Sequence, residues 1–98
     1  MRLPTERVPT SPGEILLEEW LKPMKLTQLA LAKRMGVDIQ LVNGIVNGRR
    51  AVTAKTALLL AKALKTTPEF WLNAQIAVDL WHARAELKLK RVSTRKSA

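Results

Sequence analysis

A helical apolar pattern that stops at a single glycine constrains the fold of this chain more than any other feature. Thr27 opens the pattern and Gly36 closes it. Between them, three apolar residues recur at helical spacing: Leu29, Ala32 and Met35. A threonine hydroxyl can cap the start of a helix, and glycine readily adopts the left-handed conformation that ends one. The pattern therefore predicts a short helix that stops at a tight turn.

A second short helix is predicted directly after this turn. Asp38 is suited to cap it, and an Asn-Gly pair at positions 47–48 ends it. Its apolar side consists of Leu41, Val42, Ile45 and Val46. Two helices joined by a glycine-containing turn indicate a helix-turn-helix at residues 27–48. In that motif the second helix enters the major groove of DNA.

Positive charge is concentrated on the same part of the chain. Residues 24–66 contain eight lysines or arginines and one acid, whereas residues 1–23 contain three basic and four acidic residues. The formal net charge of the chain is +9, which favours an anionic partner. Contact with DNA phosphates requires such a basic unit, so we favour DNA binding over a helical hairpin in an unrelated small α domain.

Local signals predict a helix before this motif. Ser11 and Glu14 form a capping box around Pro12, which occupies the first helical position. Pro23 ends this helix, because the residue before a proline disfavours the helical conformation. The inward residues of the predicted helix are Leu16, Leu17, Trp20 and Leu21.

Two more helices complete the predicted fold. Thr53 is expected to cap a helix at residues 54–64, and Thr66 or Thr67 a longer one at residues 68–89. The buried side of the helix at 54–64 is predicted to be Ala57, Leu58, Leu60, Ala61 and Leu64. Together these elements predict an all-α fold of five helices.

Length and composition favour one domain without a membrane segment. The chain has 98 residues, which suits a single core. We predict an irregular arm at residues 1–10, a domain at residues 11–89 and a basic tail at residues 90–98. The apolar runs are far shorter than a membrane span, and the first residues lack the apolar core of a signal peptide. We therefore expect a cytoplasmic protein.

The last predicted helix carries two apolar stripes, which is more than one side of a small domain usually buries. The stripes are Leu72, Ile76, Leu80, Ala83 and Leu87, and Trp71, Ala74, Val78, Trp81 and Ala85. We expect one stripe to pack on the helix-turn-helix and the other on a second subunit. Trp71, Val78 and Trp81 are the predicted dimer contacts, because aromatic residues are enriched in interface cores. The alternative is a central helix that the other four surround.

Three longer motifs occur in order between residues 11 and 75. They are SPGEILLEEWLKP, GIVNGRRAVTAKTALLLAKAL and TTPEFWLNAQ. In this order they resemble the HigA-type antitoxins, a branch of the XRE or phage-repressor-like helix-turn-helix proteins. The resemblance implies a five-helix, lambda-repressor-like fold and a homodimer that binds operator DNA and represses its own operon. It also implies a partner toxin of the RelE-like, mRNA-cleaving HigB type.

The resemblance also implies which residues contact DNA. Bases are expected to be read from the front of the second motif helix, by Gln40, Asn43 and Ile39. The amides of Gln40 and Asn43 can pair bidentately with adenine. Gly44 departs from the family, which has a longer polar residue there, so we expect one base contact to be missing. The expected phosphate contacts are Thr27, Gln28, Arg49, Arg50 and Lys55.

Acidic residues on the first helix suggest a place for the toxin. Glu14, Glu18 and Glu19 form an acidic face on which a basic toxin could dock. The alternative is a solvated helix face. A stand-alone phage-type or chromosomal repressor without a toxin also remains open.

An enzymatic function is not expected. His82 is the sole histidine and cysteine is absent, so the sequence offers neither a nucleophile–base pair nor a cluster of metal ligands. No metal or cofactor is predicted. The chain has four aromatic residues, too few for the base-stacking surface of an RNA-binding module.

Overall fold

A computed structural model of the chain describes residues 7–97, with side chains described for residues 7–88. In chain order the helices are α1 (Pro12–Leu16), which continues directly into a π-helical turn (Leu17–Leu21), α2 (Gln28–Met35), α3 (Ile39–Val46), α4 (Ala54–Leu64) and α5 (Pro68–Ser97). The described residues contain no strand. The predicted all-α, five-helix fold is confirmed.

Side-chain caps begin the helices as the sequence predicts. The capping residues are Ser11, Thr27, Asp38, Thr53 and Thr67, each of which accepts a backbone N–H two or three residues further on. Gly36 ends α2 with a φ of 71°, in the left-handed region that favours glycine. Each side-chain cap at a helix N-terminus stabilises the helix by about 1 kcal/mol. The boundaries of these short helices are therefore encoded locally.

Trp71 is the largest fully buried side chain in the described core. It is 0% exposed, and its indole Nε1–H donates to Thr66 Oγ1 at 2.7 Å. Trp20 packs against it with ring centroids 5.3 Å apart. The predicted place of Trp71 in a dimer interface is therefore wrong, because no part of its side chain remains for a second subunit to cover.

Two leucines that were predicted to lie inward are exposed instead. Leu29 is 49% and Leu58 60% exposed. On α2 the buried residues are Leu31, Ala32 and Met35, and on α4 they are Thr56, Ala57, Leu60, Ala61 and Leu64. Leucine-rich helices offer several faces of similar hydrophobicity, and packing against the neighbouring helices decides which one is buried.

Gly13 allows α1 to approach α3 at backbone distance. A Cβ atom built on this buried glycine would lie 1.9 Å from the carbonyl oxygen of Ile45, close to the end of α3. Leu16 on α1 and Val42 on α3 are buried in the same core. The side of α3 that faces the domain is therefore set by contact with α1 as well as with α2.

Helix α5 is longer than the sequence predicted. It extends to Ser97, so residues 90–97 are helical, whereas the helix was predicted to end at residue 89 and to be followed by a basic tail. Residues 69–98 contain neither proline nor glycine, and they are rich in lysine, arginine, alanine and leucine, which favour helix. Within the described residues, no helix combines the length and the hydropathy needed to cross a bilayer.

The contact at Gly13 generates a stability prediction. Gly13→Ala places a methyl group against the backbone of Ile45, so α1 must shift. We expect the free energy of unfolding to fall by about 1–3 kcal/mol, as for other overpacked sites. Chemical denaturation measures this, with Glu19→Ala, an exposed change in the adjoining π-helical turn, as the control that stays within about 0.5 kcal/mol of the parent. Equal stability of Gly13→Ala and the parent would contradict the close approach.

Candidate nucleic-acid interface

The turn between α2 and α3 holds the two helices in a helix-turn-helix arrangement. The backbone N–H of Val37 donates to the carbonyl of Ala32 at 3.0 Å, and the Val37 side chain packs half-buried against the core. Val42 and Ile45 are buried on the inner side of α3. The opposite side carries Ile39, Gln40, Asn43 and Asn47, which we call the outer face of α3. Asn43 lies three or four residues from each of the others, as residues on one helix face do.

Asn43 lies at the centre of a hydrogen-bond network on this outer face. Its Nδ2 donates to Gln28 Oε1 at 3.1 Å, across to the start of α2. Its Oδ1 accepts from Asn47 Nδ2 at 3.0 Å and from Arg49 Nη2 at 2.8 Å. The structure thus joins one predicted base-contacting residue to two predicted phosphate-contacting residues. Gln40 and Ile39 are exposed beside this network.

The part that Asn47 takes in this network was not predicted from the sequence. Its spacing of four residues from Asn43 places the two side chains on one helix face, which is the signal that could have indicated the contact. The bonds from Asn43 to Gln28 and Arg49 connect different segments of the chain. Local spacing gives no information about such contacts.

In the turn after α3, the side chains of the two consecutive arginines lie in different places. The backbone N–H groups of Arg49 and Arg50 both donate to the carbonyl of Gly44, at 2.8 and 3.0 Å. Gly48 enters this turn with a φ of 77°. The Arg49 side chain reaches the outer face of α3, whereas the Arg50 side chain covers Gly44, where a Cβ atom would lie 2.8 Å from Arg50 Cγ.

Gly44, where the sequence predicts a missing base contact, is covered by Arg50 in this structure. It is buried, and a Cβ atom built there would meet the Arg50 side chain. Its small size lets the Arg50 side chain pack against α3. The segment that follows is fixed to α5, because Gln75 Oε1 accepts the N–H of Val52 at 2.9 Å.

The remaining predicted phosphate contacts keep free donors. Thr27 Oγ1 accepts the N–H of Ala30 at 3.0 Å, which leaves its hydroxyl proton to donate. Gln28 uses its Oε1 toward Asn43 and therefore has its NH₂ group available. Lys55 is exposed in the first turn of α4. These donors suit contact with phosphate oxygens, which position a protein on DNA without reading its sequence.

The predicted acidic face lies on α1 and its π-helical turn, and the histidine lies on α5. Glu14, Glu18 and Glu19 are exposed, and Glu18 Oε2 pairs with Lys22 Nζ at 2.8 Å. Both side chains of that pair are more than half exposed, so it contributes little to stability. His82 is exposed with its ring centroid 5.1 Å from that of Trp81. Among the described residues, no three acidic or histidine side chains are grouped to hold a metal ion.

Comparison with known proteins supports the assignment of a helix-turn-helix. A family model described as helix-turn-helix matches residues 17–71. Over 80 residues the chain is 52% identical to antitoxin HigA-1 of Vibrio cholerae, with 82% of this chain and 75% of that protein covered. The chain belongs to the HigA-type antitoxins of the helix-turn-helix family.

Two antitoxins of similar structure have been solved with DNA. Antitoxin HigA of Pseudomonas aeruginosa with the higBA promoter has a TM-score of 0.79 and 34% identity, covering 84% of this chain and 89% of that one. Antitoxin GraA in complex with its operator has a TM-score of 0.78 and 43% identity, covering 95% and 88%. This HigA-type chain thus shares its fold with two antitoxins that have been solved with DNA.

Proposed function

We propose that this HigA-type protein binds operator DNA sequence-specifically, represses its own operon and neutralises a RelE-like, HigB-type toxin. The observation that carries the DNA-binding part is the outer face of α3, where exposed Gln40 and Ile39 lie beside a network that reaches Gln28 and Arg49. Relatives bound to promoter or operator DNA support it. A cytoplasmic location follows, because the operator and an mRNA-cleaving toxin are both found there.

Different side chains are proposed to contact the bases and the phosphates of the operator. The exposed amide of Gln40 can donate to N7 and accept from N6 of adenine in the major groove, and Ile39 can contact a thymine methyl. Thr27, Gln28 and Lys55 contribute donors or positive charge for the phosphates. Arg50 adds a further cation at the end of α3. A variant in each group should therefore change binding in a different way.

Gln40→Ala and Arg50→Met test this division. We expect Gln40→Ala to cost about 1–3 kcal/mol per half-site on the operator and to leave binding to random DNA unchanged. Arg50→Met keeps an apolar stem over Gly44 but removes the charge, so operator and random DNA should weaken by similar factors. The slope of log K against log salt should fall by about one contact per subunit. Titrations of both duplexes at several salt concentrations decide this. An unchanged operator-to-random ratio in Gln40→Ala would exclude base reading by that residue.

Helix α5 supports a homodimer. Ile76, Leu80 and Leu87 recur on one side of it and are 50%, 45% and 63% exposed. Val78 and Trp81, the other predicted contacts, are half-buried. We place the outward stripe of Ile76, Leu80 and Leu87 in the dimer interface, with Trp81 beside it. A two-fold dimer requires an inverted-repeat operator whose half-sites lie about 10 bp apart or a multiple of this.

Charged substitutions on α5 test the dimer. Leu80→Glu places a carboxylate in the outward stripe, and we expect monomers in light scattering at tens of micromolar, where the parent is dimeric. Operator affinity should fall with it, because the two half-sites are no longer bound together. Trp81→Glu is the companion variant. If it dissociates the dimer and Leu80→Glu does not, the interface lies on the other side of α5.

The acidic residues of α1 and its π-helical turn are our candidate toxin contacts. Glu14, Glu18 and Glu19 are exposed in a chain whose formal net charge is +9. A basic toxin would find attraction here and repulsion over the DNA-binding surface. Toxin and operator could then be bound by separate surfaces of one protein.

Matched charge reversals test the toxin surface. Glu19→Lys and Glu86→Lys both replace an exposed glutamate, the first on the proposed toxin surface and the second on α5. We expect Glu19→Lys to weaken co-purification with the toxin of the same operon, whereas Glu86→Lys should not. Operator binding should persist in both variants. Equal co-purification of the two would remove this face from the toxin interface, and the absence of any toxin partner would favour a stand-alone repressor.

A further inference from the structure

The hydrogen-bonding capacity of the Asn43 amide is largely used within the protein. Its Oδ1 has two lone pairs and accepts from Asn47 and Arg49, while its Nδ2 donates one of two protons to Gln28. Bidentate recognition of adenine requires an acceptor and a donor of the same amide. Asn43 has one N–H to offer and a saturated oxygen, so it does not match adenine without breaking this network.

Arg49 gains a defined position from the same network. Its Nη2 lies 2.8 Å from Asn43 Oδ1, which brings the guanidinium onto the outer face of α3. Gln40 precedes Asn43 by three residues on this face, and Asn47 follows it by four. The neighbouring Arg50 carries the same charge but packs over Gly44. The two arginines are thus adjacent in sequence and carry the same charge, but their side chains occupy different positions.

We propose that Arg49 reads a guanine in the major groove and that Asn43 is the positioning residue that holds it there. The proposal rests on the proposed binding of operator DNA and assigns one base pair of the operator. A guanidinium has five N–H donors. The bond to Asn43 uses one, and the remaining four include enough for the bidentate contact with guanine O6 and N7.

Because the Arg49 guanidinium is ordered before DNA binds, a contact with a base is favoured over a contact with a phosphate. A flexible arginine at the end of α3 can find a phosphate oxygen in many conformations, and a phosphate contact needs no fixed approach. Recognition of guanine requires the planar fork to approach O6 and N7 together. A hydrogen bond that orders the guanidinium before DNA arrives lowers the entropic cost of that approach. Asn43 supplies this bond from the outer face itself.

The experiment begins with selection of bound sequences from a randomised duplex library. We expect the parent to select guanine at one fixed position of each half-site. Arg49→Met should reduce the preference for guanine at that position by about 5- to 150-fold per half-site, with the other positions unchanged. Arg50→Met removes the same charge from the next residue and is the matched control. It should weaken all sequences alike and keep the guanine preference.

Variants of Asn43 test the positioning role separately. Asn43→Ala should lower the preference for guanine at the position that Arg49→Met affects, and it should have little further effect in the Arg49→Met background. Asn43→Asp keeps an acceptor for Arg49 and should retain most of the preference. Asn47→Ala leaves the Asn43–Arg49 bond in place and should retain it fully. A purely structural role of Asn43 would instead lower affinity for all sequences and leave the preference unchanged.

A modified base provides a test that leaves the protein unchanged. Replacement of the selected guanine by 7-deazaguanine removes the N7 acceptor, so it should weaken binding by the parent but not by Arg49→Met. The inference is overturned if Arg49→Met and Arg50→Met weaken all sequences alike, because Arg49 then contacts phosphate. It is also overturned if Asn43→Ala removes a preference for adenine at a different position. Failure of the parent to select any sequence would instead refute the proposed operator binding, and this inference with it.

Discussion

The close backbone contact between α1 and α3 at Gly13 fixes which side of α3 is buried and which side faces solvent. A glycine there brings α1 against the carbonyl of Ile45, and Val42 and Ile45 are buried behind it. With one side of α3 held in this way, the opposite side must face solvent. The position of α3, the helix that we propose contacts bases, is therefore set on its buried side, where a single added methyl group at Gly13 would disturb it.

The outer face of α3 combines exposed and ordered side chains. Gln40 is exposed, whereas Asn43 is bonded to Gln28, Asn47 and Arg49. The ordered part links the start of α2 to the turn after α3, so the two ends of the helix-turn-helix are held in register by side chains as well as by the backbone. A surface organised before DNA binds loses less conformational entropy when it does bind.

Helix α5 connects this surface to the remainder of the molecule on one side and presents an apolar stripe on the other. Trp71 is buried in the core, and Gln75 accepts the N–H of Val52 beyond the two arginines. Ile76, Leu80 and Leu87 point away from these contacts and stay exposed. A second subunit that covers them would fix the distance between two copies of α3 through a continuous helix.

The sequence by itself determined the helix boundaries at their caps, the five-helix class and the helix-turn-helix, because caps and turns depend on residues only two to four positions apart. It did not determine which leucines are buried, as Leu29 and Leu58 show, because several faces of an apolar helix are equally suitable until neighbours pack on one. The same holds for Trp71 and for the different placement of Arg49 and Arg50. Those features depend on contacts between distant segments, so only the tertiary structure decided them.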